Sequence, residues 1–250
     1  MIHLRLFFNL LLLLSMFGIP LIAAGGDKAV DPKAAQILKQ MSDFLKSQNR
    51  FAYTASNTTD LVLKGNQKIT LFADSKVYIK RPNKVRSQRL GEKKKLQMFY
   101  DGRTLTLFDQ EGDHFAQREI GLELDGLLDF IRDKFEIEIP AADLFYQDVY
   151  EGLMDTAESG RYIGETEIDG VHCHHLAFQA EDVDWQLWVE SGNRPLPLRY
   201  SVTSKWTTSS PVSSVQFREW DLSPDIPDSV FEFKVPSGSK RIRLAEEDAQ

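Results

Sequence analysis

The chain has 250 residues, 42% of them hydrophobic and 27% charged, which is enough to bury one sizeable core without a second domain. Its formal charge of −7 argues against nucleic acid as the main partner, since that role needs a basic footprint. The single cysteine, Cys173, excludes any intramolecular disulfide, so packing has to hold the fold together.

Residues 1–26 read as a Sec-type signal peptide. Arg5 supplies the basic start, LFFNLLLLLSMFGIPLI the apolar run, and Ala23, Ala24, Gly25 and Gly26 the small residues where a signal peptidase cuts. A retained anchor wants about 20 apolar residues. Asn9, Gly18 and Pro20 interrupt this run, so no stable membrane anchor is expected after cleavage. An acylated N-terminus would need a cysteine at the cut, and Cys173 is far from it. The expectation is a periplasmic protein with one domain over residues 27–238 and a charged, frayed tail over 239–250.

Asp31-Pro32 opens a helix: aspartate caps it, and proline at the first helical position gives up only an N–H that lacks a partner anyway. Ile37, Leu38, Met41, Phe44 and Leu45 then form one apolar stripe. From Phe51 the period changes to two. Phe51, Tyr53, Ala55, Leu61 and Leu63 share a parity, with Asn57 and Thr59 between them, which predicts a long strand with a wetter centre. Ile69, Leu71, Ala73, Val77 and Ile79 repeat the pattern, broken only by Ser75, while Thr70, Asp74, Lys76 and Lys80 take the other face.

Arg81-Pro82-Asn83-Lys84 turns the chain. Proline excludes the positive φ of a mirror-image two-residue hairpin, so a type I turn with Asn83 left-handed is expected. Tyr100-Asp101-Gly102-Arg103 carries the Asp-Gly pair of a type I′ turn, which pairs Tyr100 with Arg103, Met98 with Leu105 and Leu96 with Leu107. Lys80, Arg81, Lys84, Arg86, Arg89, Lys93, Lys94 and Lys95 form a local basic stretch, read as a solvated sheet face or edge.

Helical spacing returns at Leu124, Leu127, Leu128, Ile131 and Phe135, and residues 141–153 read as two short helical turns after Pro140. Strands resume at Tyr162, with Asp169-Gly170 as a second type I′ hairpin. Val183, Trp185, Leu187 and Val189 alternate in one strand and Leu198, Tyr200, Val202 and Trp206 in the next. Residues 215–220 and Phe231, Phe233 and Val235 give the last two. The fold class is α+β: a strongly curved antiparallel sheet, an incomplete β-barrel, closed by helices. The helical block would lie across its mouth as a cover.

His172-Cys173-His174-His175 is the sharpest local feature. A two-residue turn at Asp169-Gly170 sets Glu167 opposite His172 and Glu165 opposite His174, all on one face, with Cys173 and His175 on the reverse. Two histidines and a glutamate suit zinc, so Glu165, Glu167, His172 and His174 are the candidate metal or enzymatic site. Against it, no fourth ligand and no spacing motif is present, and solvated Glu-His pairing accounts for the same residues. Cys173 reads as a small buried hydrophobe before a reactive thiol. No HExxH, GxSxG, CxxC, Walker or dinucleotide pattern occurs, and Asp101, Asp125 and Asp169 are explained by turns or caps, so no cofactor is expected. Of the four tryptophans, Trp185 is the inward candidate by parity.

The run of Val30-Asp31-Pro32, KVYIKRPNKVR, FYDGRTLTLFD, IDGVHCHHLAF, VDWQLWVE, PLPLRY and FEFKVPSG resembles a bacterial family of predicted periplasmic proteins of unknown function, across nearly all of the mature chain. More distantly, the Arg-Pro turn, the Tyr-Asp-Gly hairpin and the closing Phe-x-Phe-x-x-Pro-x-Gly resemble the superfamily of the lipoprotein carriers LolA and LolB and the sensor RseB. That resemblance implies a half-barrel whose cavity holds acyl chains in the carriers. It implies here a carrier or envelope sensor for a lipid, a lipoprotein acyl group or another hydrophobic ligand, with a transient protein partner in the envelope. Such a ligand would lie against Phe51, Tyr53, Leu61, Leu63, Ile69, Leu71, Val77, Ile79, Leu96, Met98, Leu105 and Leu107 of the sheet, Leu127, Leu128 and Ile131 of the helical block, and Trp185.

Overall fold

Period-two alternation dominates the chain, and the structure turns it into one sheet, twelve-stranded among the described residues. The computed structural model describes residues 29–135 and 139–243; the expected leader (1–26) and the end of the expected tail (244–250) lie outside the described residues. In chain order the elements are α1 (Pro32–Ser47), β1 (Arg50–Val62), β2 (Lys68–Lys80), β3 (Lys84–Gly91), β4 (Lys95–Tyr100), β5 (Thr104–Asp109), β6 (His114–Glu119), α2 (Leu124–Phe135), a 3-10 turn (Ala142–Phe145), α3 (Val149–Asp155), β7 (Ala157–Ile168), β8 (Val171–Ala180), β9 (Val183–Glu190), β10 (Pro197–Ser204), β11 (Val212–Asp221), a second 3-10 turn (Asp228–Val230) and β12 (Lys240–Arg241).

The strands lie in the order β12-β6-β5-β4-β3-β2-β1-β11-β10-β9-β8-β7. Two meanders, β1–β6 and β7–β11, are therefore joined through the antiparallel β1–β11 pair. The outer strands do not pair with each other, so the curved sheet stays open, and the expected α+β class holds.

Local chemistry explains the elements. Asp31 accepts a hydrogen bond from the Lys33 N–H at 2.8 Å and Pro32 sits at the first helical position. The buried side of α1 is Ala34, Ile37, Leu38, Met41 and Leu45, and the helix lies against β7 and β9. The α2 stripe of Leu124, Leu127, Leu128 and Ile131 is buried in the same core. At the β7 edge, Gly160 lets Val30 pair alongside it and leaves room for the Phe178 ring, which stacks on Trp185 at 4.0 Å.

The two Asp-Gly turns behave differently. Asp169 (φ 49°) and Gly170 (φ 80°) form the expected two-residue turn, with Ile168 opposite Val171 and Glu167 opposite His172. At the other, Tyr100 pairs with Leu105 and Met98 with Leu107, so the loop has four residues rather than two. The Asp101 carboxylate accepts from the N–H groups of Arg103 (2.9 Å) and Thr104 (2.8 Å) and holds the wider loop. The slip is two residues, so every side chain keeps its expected face. The Arg81-Pro82 peptide is cis and Asn83 is not left-handed, which corrects the expected turn type.

The C-terminal segment departs most from expectation. Phe231, Phe233 and Val235 do not form a strand; they belong to a strap across the sheet face opposite the helices. That face of β4–β6 presents Phe99, Phe108 and Phe115, and Phe233 packs on all three with ring centroids 5.1–5.4 Å apart. Burying this second apolar patch outweighs a strand ladder. The strap then continues to Lys240–Arg241, which pairs with His114 and Phe115, so these tail residues are sheet rather than frayed. Trp206 also leaves its expected strand, which stops at Ser204, and is 72% exposed in the following loop.

A Cβ added at Gly160 would sit 2.6 Å from the fully packed Phe178 ring. Gly160→Ala is therefore expected to lower stability by about 1–3 kcal/mol in urea denaturation. Gly152→Ala on α3, where nothing lies within 4 Å, should raise it by about 0.5–1 kcal/mol.

Asp228 anchors the strap: its carboxylate lies 2.7 Å from both Lys80 and Lys84, whose hydrogen bonds hold its pKa down to about 2. A depressed carboxylate pKa contributes stability above the unfolded value of about 4, and that contribution is lost as pH falls toward 2. The denaturation midpoint of the native protein should therefore exceed that of Asp228→Asn above about pH 4, and the gap should close by about pH 2.

Candidate ligand-binding face

Directly opposed residues on neighbouring strands point the same way, so the register arranges the helix-bearing face into rows. The first is Phe51, Ile79, Val85, Tyr100 and Leu105; the second Tyr53, Val77, Ser87, Met98 and Leu107; the third Ala55, Ser75, Arg89, Leu96 and Asp109. Beyond these come Asn57, Ala73 and Gly91, then Thr59 with Leu71, then Leu61 with Ile69.

Helices cover the first rows. Tyr100 Oη donates to the Leu122 carbonyl and accepts from the Leu122 N–H, both at 2.6 Å, and the Leu124 N–H donates to the Pro82 carbonyl at 2.8 Å, which seats the start of α2. Phe145 stacks on Tyr53 at 5.3 Å. Arg81 fixes that turn by donating to the Phe145 carbonyl (3.1 Å) and to Gln147 Oε1 (3.2 Å). Asp125 on α2 accepts from the Gln147 N–H at 2.9 Å. These contacts clamp the helical block to the sheet.

Nine of the sixteen expected lining residues are consequently core: Phe51, Tyr53, Val77, Ile79, Leu105, Leu127, Leu128, Ile131 and Trp185 are buried in one cluster with the helices. Under the helices the space expected for a guest is filled by the protein's own side chains. Of the other seven, Met98 and Leu107 pack half-buried against that cluster, and five lie where helical cover runs out. Leu61 (40%), Leu63 (38%) and Leu96 (40%) are exposed, and Ile69 and Leu71 are half-buried. The cause is length: β1 and β2 have 13 residues each, about 43 Å, while the 12 residues of α2 span about 18 Å.

Arg89 stands in this uncovered part. The basic stretch was read as solvated, yet register puts Arg89 on the inner face opposite Ser75 and Leu96, whereas its neighbour Arg86 points outward and stacks 3.7 Å from the Phe99 ring centre. Burial pulls the Arg89 guanidinium pKa below its usual value. The signal missed in the sequence was parity carried through β3 from Val85.

Two clefts lie elsewhere. One of about 340 Å³ on the opposite face is lined by polar groups including Ser56, Asp74, Lys76, Gln88 and Arg218; one of about 430 Å³ beside Pro82 includes Lys46, Arg81, Glu123 and Asp125.

The histidine cluster has the expected register, but its members form two separate pairs: His172 Nδ1 is 3.9 Å from Glu167 and His174 Nδ1 4.0 Å from Glu165. His174 Nδ1 also lies 3.2 Å from the Tyr162 hydroxyl. Among the described residues no group of three or more His, Cys, Asp or Glu side chains is placed to hold a metal ion. On the reverse face His175 stacks on Trp188 at 4.2 Å, and burial pushes the Cys173 thiol pKa up, away from thiolate reactivity. Since the His172 side chain is 83% exposed, His172→Ala should shift unfolding free energy by less than about 0.5 kcal/mol.

Among the described residues no helix is long and apolar enough to cross a membrane. Comparison with curated proteins returned no match. Solved structures of similar course include an uncharacterized conserved protein from Thermus thermophilus, 9% identical over 84% of this chain and 99% of that one, with a TM-score of 0.47. The lipoprotein LppX of Mycobacterium tuberculosis is 13% identical over 79% of this chain and 100% of its own, with a TM-score of 0.43. A LolA superfamily protein from Nitrosomonas europaea is 14% identical over 80% and 97%, with a TM-score of 0.34. With residues 34–245 matched by its model, the chain belongs to the family described as predicted periplasmic protein (DUF2092), and the expected localisation agrees with that description.

Proposed function

We propose that the protein holds a hydrophobic ligand, a lipid or a lipoprotein acyl chain, on the uncovered part of its inner face, as a carrier or envelope sensor. The observation that supports this reading is the continuation of apolar side chains past the helices, through Leu71, Leu61 and Ile69 on one side and Leu96 on the other. Clustered exposed apolar side chains on a curved surface are a recognition feature. At about 25 cal/mol per Å², covering roughly 300 Å² of ligand would supply about 7 kcal/mol before ordering costs. Because α2 and the turn after it are clamped, the ligand enters from the open end and needs no lifting of a lid.

Titration with the neutral dye N-phenyl-1-naphthylamine tests this, alongside lipid extraction from protein purified from the periplasm. The Leu61→Glu, Leu96→Glu double variant should bind the dye at least tenfold more weakly, a loss of about 1.4 kcal/mol or more, with an unchanged denaturation midpoint because both side chains are already exposed. Equal dye affinity in the variant, or no saturable binding by the native protein, would remove the proposal.

A further inference from the structure

The uncovered face contains a charge that its surroundings do not neutralise. Arg89 Nη1 has no exposed surface and no hydrogen-bond partner. Among the described residues no charged partner acts on the guanidinium, and its direct neighbours across the strands are Ser75 and Leu96. The nearest acid in its row, Asp109, lies beyond Leu96, and its Oδ1 already accepts from the N–H groups of Glu111 (3.1 Å) and Gly112 (3.2 Å). An arginine in a protein stays protonated, and a partly buried guanidinium without an anion or acceptor carries a desolvation cost.

The groups beside it add donors. Asn57 Nδ2 donates to Ser75 Oγ at 2.8 Å and to the Ala73 carbonyl at 3.1 Å. Ser75 Oγ is thereby used as an acceptor, which leaves its O–H to donate. The guanidinium, with Nη1 unpartnered, and the hydroxyl thus form a set of donors, which is the chemistry that holds a carboxylate or phosphate oxygen. Apolar residues adjoin this spot. From the row of Arg89 to that of Leu61 is six residues along β1, about 20 Å, and Leu71, Leu61 and Ile69 occupy that path.

We infer that the ligand is an anionic single-chain amphiphile, its carboxylate or phosphate headgroup paired with Arg89 and Ser75 and its chain laid along Leu71, Ile69 and Leu61. This rests on the reading of the inner face as a ligand site and adds the headgroup. Leucines alone do not distinguish a fatty acid from the corresponding alcohol; Arg89 does.

The experiment displaces N-phenyl-1-naphthylamine with oleate, oleoyl lysophosphatidate or oleyl alcohol, in native protein and in Arg89→Leu. Replacing a half-buried unpaired charge by leucine is compatible with folding, and a denaturation curve checks it. Both anions, or one of them, should bind the native protein at least tenfold more tightly than the alcohol. Arg89→Leu should lose that preference while keeping its affinity for the alcohol, and Arg89→Lys should restore part of it. Which anion is preferred tells a carboxylate from a phosphate headgroup. Equal affinity for all three in the native protein, or a preference that persists in Arg89→Leu, overturns the Arg89 assignment and leaves the apolar site standing. Failure of all three to bind removes both.

Discussion

Everything in this molecule follows from a mismatch between a wide apolar sheet face and the small amount of helix available to cover it. Alternation along β1 to β5 makes the first two rows of one face apolar but for Ser87, and carries leucines and an isoleucine on past the polar patch of Ser75, Arg89 and Asn57. Among the described residues three helices of 16, 12 and 7 residues lie between or before the strands. They can seal only part of that face. Where they sit, the interior is solid, with Phe145 wedged against Tyr53 and Phe51; where they end, leucines remain in contact with water.

The opposite face shows the other solution to the same problem. Phe99, Phe108 and Phe115 are apolar on the side away from the helices, and the chain brings back its own C-terminal strap to cover them with Phe233. One apolar patch is closed by the protein itself. The other is left open, and it lies on the inner side of a curved sheet, where an extended apolar chain fits better than a flat partner surface.

Much of this was legible in the sequence because the side-chain period of a strand is two. The faces of Met98, Leu105 and Leu107 were readable even though the Asp101-Gly102 loop is two residues wider than its Asp-Gly pair predicts, since an even slip preserves parity. The Asp169-Gly170 turn and the pairing of the histidine cluster came out as read. What was not legible depends on distance in the chain. The strap needs Phe233 to find strands more than a hundred residues earlier, and no local period announces that. Burial of Phe51 and Leu127 as core rather than cavity lining depends on where the helices land. Arg89 was hidden in a run of lysines and arginines with no apolar alternation to mark its face; only register assigned it to the inner face.

The most direct test of the account is to map where an apolar chain actually sits. A diazirine-bearing fatty acid, photolysed on the intact protein and read out by peptide mass spectrometry, should label the peptides that carry Leu61, Leu71 and Leu96 and spare those carrying Leu127 and Ile131. Labelling confined to the cleft beside Ser56 and Arg218, or none above that of unfolded protein, would contradict the claim that the open rows of the inner face are a binding site.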